Sequence, residues 1–224
     1  MFCFCSCDPA GSTYLSRSPE GPVMGFDLRK DTIDLPTGLE IVKRIRANGG
    51  NYLRLSESFT GKERQTLRVA ADRAGVFLDT TDELTRKLLV SNIPEFNRRM
   101  LESGSGGIYG ELSQARLNSI RAVRTVERYY DFTRLRRDDR LLGRANPSGA
   151  VAAADSLGNY LIYIPRSGKV TVRLPERDQV PRRVTVIGHL GTQRSEILRP
   201  PYDREFSLLS NDARGGWMVI KREP

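Results

Sequence analysis

Three acids fall where strands should end: Glu57 shortly after residues 51–55, Asp79 closing residues 76–79, and Glu111 just past residues 108–109. Carboxyl groups gathered at strand ends suit paired-acid chemistry, in which one protonates a leaving oxygen while another attacks or activates water. Each acid is weighed against a plainer use. Glu111, like Asp82 and Glu83, lies in the first turn of an expected helix, where the helix dipole favours a carboxylate whatever its role. Glu57 reads equally well as surface charge, which leaves Asp79 as the strongest catalytic candidate.

Other chemistries have less to stand on. His189, the sole histidine, falls in an expected turn far from any nucleophile, so a Ser-His-Asp triad lacks its base. There is no metal-ligand cluster, Walker loop or dinucleotide fingerprint, and neither a metal nor a cofactor is expected. Gly104-Ser105-Gly106-Gly107 lacks the Lys and Ser/Thr of a phosphate loop and reads as a turn into a buried strand. Cys3, Cys5 and Cys7 are the only cysteines and share one short window, so they staple nothing distant. As soft-metal ligands they form an incomplete set.

The elements that would position the acids follow a strand–helix rhythm. Residues 23–26 read as a buried strand, and Thr37 and Glu40 have capping-box spacing for a helix that ends at Asn48-Gly49-Gly50. Residues 51–55 are a second strand, 62–74 a helix closed by Gly75, and 76–79 a third strand. A helix opens over 80–83, another runs from Asn92 to Leu101, and residues 108–109 make a fourth strand. The longest helix is then expected from Glu111, with Leu117, Ile120, Val123, Val126 and Tyr130 on one stripe. Beyond a charged stretch ending at Asn146-Pro147 the period changes from 3.6 to 2. Residues 159–164, 169–174, 183–187, 205–209 and 217–221 read as antiparallel strands of a sandwich or barrel. Tyr160, Tyr163, Tyr202 and Trp217 lie on this part, either as core or as a sugar-stacking face.

Composition bounds the partners. The 224 residues hold one large or two modest domains, with 38% apolar and 28% charged residues. A net charge of +9 raises the prospect of anionic partners, but only six of the 36 basic residues are Lys and the Arg are interleaved with acids. Nucleic acid is therefore the disfavoured partner. No run approaches the roughly 20 apolar residues of a spanning helix, so no membrane partner is expected. Met1–Ser18 lacks the basic and apolar regions of a signal peptide.

Several segments together resemble one architecture. They are Asn48-Gly49-Gly50-Asn51-Tyr52-Leu53-Arg54, Ser119-Ile120-Arg121-Ala122-Val123-Arg124, Leu141-Leu142, Asn146-Pro147, and Asn159-Tyr160-Leu161-Ile162-Tyr163-Ile164-Pro165 followed by Gly168-Lys169-Val170-Thr171-Val172. The architecture is that of apiosidase-like glycosidase TIM barrels with a C-terminal β-sandwich, a sandwich labelled as the collagen-binding domain of a collagenase. The resemblance covers roughly residues 14–55 and 104–222. It implies a secreted glycoside-hydrolase-like protein with a carbohydrate or a glycosylated or matrix protein as partner, or else a non-catalytic glycan- or matrix-binding module. Catalytic roles then fall to Asp79, Glu111 and Glu57, and substrate binding to Arg54, Asn51 and Tyr109. Arg54 resembles the arginine that such barrels place after their second strand to hold a carboxylate.

The expected fold class is α/β plus all-β: a partial, half TIM-barrel-like βα segment followed by a small antiparallel β-sandwich. The expected organisation is an N-terminal segment over 1–21, a shortened barrel over 22–133, a linker over 134–148 and a sandwich over 149–224. A full barrel takes about 250 residues, so either its middle is deleted or four strands form a half-barrel. An open half-barrel would expose an apolar inner face and two edges, which predicts a homodimer.

Overall fold

The computed structural model describes residues 23–28, 33–55, 59–79, 89–104, 106–109, 112–143, 146–174, 180–199, 205–210 and 212–223. In chain order its first part is β1 (Met24–Leu28), α1 (Leu35–Ala47), β2 (Tyr52–Leu55), α2 (Gly61–Ala74), β3 (Phe77–Asp79), β4 (Leu89–Val90), α3 (Ile93–Ser103), β5 (Gly106–Tyr109) and α4 (Gln114–Glu127). All five strands are parallel, in the order β3-β2-β1-β5-β4. Four of these strands are expected from sequence, and the two-residue β4 is the addition.

This order discriminates between the two shortened barrels. In a closed βα-barrel the last strand pairs with the first, and here β5 pairs with β1 from Met24↔Gly106 to Asp27↔Tyr109. The consecutive strands β3 and β4 lie at opposite edges. A barrel with units removed between its third and penultimate strands has this order. The steps β1→β2, β2→β3 and β4→β5 all move the same way across the sheet. Right-handed crossovers therefore place α1, α2 and α3 on one face, as in a barrel.

Local chemistry sets the helix ends. Asp34 caps α1, its side chain accepting from the Thr37 amide at 2.9 Å, so Thr37 lies inside the helix rather than at its cap. Thr60 and Glu63 form the reciprocal capping box of α2, and Asn92 caps α3 by accepting from the Glu95 amide at 2.9 Å. Gly75 and Gly104 close α2 and α3 at φ 66° and 70°, a region that disfavours side chains. Alternation along the strands then sorts the sheet faces. Phe26, Leu28, Leu53, Leu55, Val90 and Ile108 meet Val42, Ile45, Leu67, Phe96, Ile120 and Val123 of the helices in one core.

The second part holds β6 (Arg136–Arg137), β7 (Val151–Ala154), β8 (Tyr160–Ile164), β9 (Gly168–Arg173), β10 (Arg182–Gly188), β11 (Gln193–Leu198), β12 (Glu205–Ser210) and β13 (Gly216–Arg222). The five strands expected from sequence are β8, β9, β10, β12 and β13. They build a six-stranded antiparallel sheet ordered β11-β10-β13-β8-β7-β6 and a two-stranded sheet of β9 and β12. Ile162, Ile164, Val184, Met218 and Ile220 of the larger sheet meet Val170 and Val172 of the smaller in a second core.

The other face of the six-stranded sheet belongs to the first core, through Leu161, Tyr163, Ile187, Trp217 and Val219. Trp217 packs on Phe132 and Tyr163 at ring distances of 6.1 and 5.1 Å. Just beyond α4, the buried Tyr130 hydroxyl shares its one proton between the carbonyls of Tyr160 and Ile220, both at 3.0 Å. The stretch expected as a linker is folded into this assembly. Arg136–Arg137 pairs with β7, Leu141 is buried, and the Asn146 side chain accepts from the Thr171 amide at 3.0 Å. Arg140–Asp138 and Arg137–Glu102 pair off at the surface, at 2.8 and 2.6 Å, while Leu135 and Leu141 turn inward.

Candidate functional site

Parallel strands point one way, so their C-terminal ends share one rim, where βα-barrels build their sites. On the face away from the helices, four register positions align there: Asp79 beside Arg54, Arg54 beside Asp27, and Asp27 beside Tyr109. Neighbouring strands lie about 4.8 Å apart, which puts Arg54 between two acids whose Cα atoms are about 10 Å from each other. Asp27, Arg54 and Asp79 are 0%, 5% and 3% exposed. Charges this deep persist only when compensated, and the register sets an acid on either side of Arg54. Each of the three engages a partner in the structure.

One position back stand Gly25, Tyr52, Phe77 and Gly107. The Tyr52 hydroxyl donates to Asp79 Oδ2 at 2.8 Å, and its ring stacks on Phe77 at 6.3 Å. Burial pushes the Tyr52 phenol far above the ordinary tyrosine value. The hydrogen bond to Asp79 and the charges of Asp79 and Asp27 act the same way, with Arg54 opposing. Tyr52 is thus held as a donor to Asp79. A Cβ on Gly25 would fall 1.8 Å from the Tyr52 carbonyl oxygen, so this spacing of β1 and β2 requires glycine.

The structure brings together two of the six residues singled out from sequence, Asp79 and Arg54. Tyr109 takes the register position beside Asp27, with only its backbone described. Glu57 and Glu111 lie outside the described residues. Asn51 sits at the opposite rim, where its Oδ1 accepts from the Met24 amide at 2.8 Å and ties the start of β2 to β1. The sequence reading missed Asp27 because it ended the first strand at Phe26. The positional test that selected Asp79 would have found it one residue later.

Two other polar or aromatic groupings resolve as structure. Asp212 accepts from the His189 and Arg214 amides at 2.8 and 3.0 Å, and the His189 ring Nδ1 lies 2.7 Å from its carboxylate. Burial pushes the Asp212 carboxyl up, but these hydrogen bonds outweigh it and hold the group below the usual carboxylate value. The dyad clasps the β10–β11 turn to the β12–β13 turn. Tyr160, Tyr163 and Trp217 are 4%, 1% and 1% exposed, which makes them core rather than a stacking face; Tyr202 lies outside the described residues.

No protein-family model and no curated protein matches the sequence. Solved structures match it by shape. One described as a glycoside hydrolase superposes with a TM-score of 0.62 at 5% identity, over 89% of this chain and 92% of that one. A second, a glycoside hydrolase family 5 protein from Bacteroides vulgatus, gives 0.60 at 6% identity over 88% of each chain. The fold is glycoside-hydrolase-like. Identities this low carry the shape alone, so the roles of Asp27, Arg54, Asp79 and Tyr52 rest on their own chemistry. In the strand register Arg54 stands between the two acids. The rim of this glycoside-hydrolase-like sheet carries buried acids and an arginine at neighbouring register positions, with the Tyr52 hydroxyl donating to Asp79.

Proposed function

We propose that this glycoside-hydrolase-like protein binds carbohydrate at the C-terminal rim of its parallel sheet, and that its antiparallel part is an accessory β-sandwich. The observation that carries the reading is the buried row Asp27–Arg54–Asp79. A buried ionic row is expensive to desolvate and adds little stability over apolar packing, so its presence at the rim is better explained by a polar ligand. In this reading the row is the floor of the site. Tyr109, Glu57 and Glu111, which end or follow β5 and β2 in sequence, are the proposed sugar-contacting residues. The two glutamates are the proposed partners of Asp79 in any hydrolysis. The closer kinship, to apiosidase-like barrels with a C-terminal sandwich, is supported by the β5–β1 pairing and by α4 leading directly into the antiparallel sheets. A collagen-binding role for the sandwich finds no support in Tyr160, Tyr163 or Trp217, which are buried.

The test uses the full chain with a panel of soluble neutral oligosaccharides and 4-nitrophenyl glycosides. A saccharide should raise the melting temperature of the wild type and leave a folded Asp79→Asn variant unmoved. Nitrophenolate release that is lost in Glu57→Gln or Glu111→Gln would extend binding to hydrolysis. A panel with no thermal shift and no release above buffer would overturn the proposal.

A further inference from the structure

The most exposed element of the antiparallel part is β11. Gln193 to Ile197 are exposed on both faces, Ile197 at 45%, and among the described residues the strand pairs only with β10. Native edges are blunted by proline, lysine or bulges. This one has no proline, lysine or bulge, its two charges, Arg194 and Glu196, are of opposite sign, and its register with β10 runs unbroken from Arg182↔Leu198 to Ile187↔Gln193.

Backbone bonding fixes which residues of β11 face outward. The Gly188 amide donates to the Thr192 carbonyl at 2.8 Å, so Gly188 and Thr192 are a hydrogen-bonded pair. Antiparallel pairs alternate. Arg194, Glu196 and Leu198 therefore spend their backbone groups on β10, while Gln193, Ser195 and Ile197 direct theirs to the free edge. The far side of β10 agrees. Glu223 donates to Pro181 at 2.8 Å, which assigns the odd-numbered residues of β10 to β13 and the even-numbered ones to β11.

A second β11 laid antiparallel along this edge must match odd residues with odd ones. Centring the two-fold axis on Arg194 sets that arginine opposite itself, and centring it on Glu196 does the same to the glutamate; like charges so placed are destabilising. Centring it on Ser195 pairs Ser195 with Ser195 and Gln193 with Ile197 through about six hydrogen bonds, two for each facing pair. It also sets Arg194 opposite Glu196 twice, in the non-hydrogen-bonded positions where side chains approach most closely. Of these three registers only the one centred on Ser195 is complementary to itself.

We infer that the chain forms a two-fold symmetric dimer by antiparallel pairing of β11 with β11 of a second copy, centred on Ser195. The six-stranded sheets then join into one continuous sheet, and the contact is isologous. The interface is short compared with the roughly 1,200–2,000 Å² of a standard one, so the dimer is concentration-dependent. This places self-association on the antiparallel part rather than on the edges of the parallel sheet, and it is independent of the carbohydrate reading.

Sedimentation velocity of the full chain over a concentration series tests it. The wild type should show a monomer–dimer equilibrium weakened by salt. Arg194→Glu and Glu196→Arg should each weaken dimerisation about tenfold or more, by placing like charges opposite. An equimolar mixture of the two should restore the dimer as a heterodimer. Ser195→Pro removes the central outward N–H without touching the β10 ladder and should be a folded monomer. Ser195→Ala, which keeps that N–H and loses only the 2.8 Å hydroxyl contact to Thr185, should dimerise. A wild type that stays monomeric throughout, or a dimer indifferent to proline and to both charge reversals, would overturn the inference.

Discussion

Replacing Tyr52 by phenylalanine removes one oxygen from the buried row and leaves the ring in place. The lost hydrogen bond, 2.8 Å to Asp79 Oδ2, joins side chains that are 2% and 3% exposed, so water does not substitute for it. A hydrogen bond to an ionised acceptor contributes about 1.5–3 kcal/mol, and ring burial is unchanged, so Tyr52→Phe should lose about 2 kcal/mol at neutral pH. The alkaline limb sharpens the test. In the unfolded chain Tyr52 ionises near pH 10 or so, whereas in the fold its phenol is held far above that. Above that pH the native state retains a proton that the unfolded state has released. Stability therefore falls with rising pH, by about 1.4 kcal/mol per unit for this one group. Tyr130 and Tyr163, also raised by burial, are present in both proteins and cancel. The gap between wild type and Tyr52→Phe should thus be constant below about pH 10 and close roughly 1.5 units above it. Urea titrations followed by circular dichroism across this range measure the gap directly. Parallel stability curves from neutral to alkaline pH, or a neutral gap under about 0.5 kcal/mol, would show that the hydroxyl is solvated and refute the buried row.

Asp212→Asn should cost about 1.5–3 kcal/mol near pH 6. Because the Asp212 carboxyl is held below its usual value in the fold, this stabilisation is present above the unfolded value of about 3.9 and is lost as pH falls through the folded one. Melting curves of wild type and variant should accordingly converge in acid. Gly25→Ala, whose Cβ would meet the Tyr52 carbonyl oxygen at 1.8 Å, should lose about 3 kcal/mol or more, measured by urea unfolding. Gly61→Ala, at the first position of α2 with nothing within 4 Å, should be neutral or gain up to about 1 kcal/mol in the same assay. Tyr130→Phe should lose about 1 kcal/mol by removing the hydroxyl that adds to the ladder bonds of the two strand carbonyls, and thermal unfolding followed by Trp217 emission reads this at the junction itself.

The elements that sequence revealed are those whose local chemistry and packing agree. Gly75 and Gly104 end helices in the left-handed region, and Leu117, Ile120, Val123 and Val126 form the buried stripe of α4. Where two local signals competed, the spacing of Thr37 and Glu40 obscured the true cap, Asp34, because Pro36 is compatible with a first helical turn. Strand β7 was hidden by its three alanines, which carry little strand preference and are held by pairing with β8. Strand β11 was hidden by the opposite cause, exposure on both faces, which erases the period-2 signal. Two of the three charges in the row were legible, since Arg54 and Asp79 could be placed on strand ends. Its alternation depended on the neighbouring register of β1 and β2, a non-local fact that a linear pattern does not contain.

Hydrogen exchange of the full chain, with and without the oligosaccharide that shifts its melting temperature, tests the central claim most directly. Binding at the rim should protect amides at the ends of β1, β2 and β3, around Asp27, Arg54 and Asp79, and leave β8, β10 and β13 unchanged. Protection confined to the antiparallel sheets would contradict the account and assign carbohydrate recognition to the accessory module.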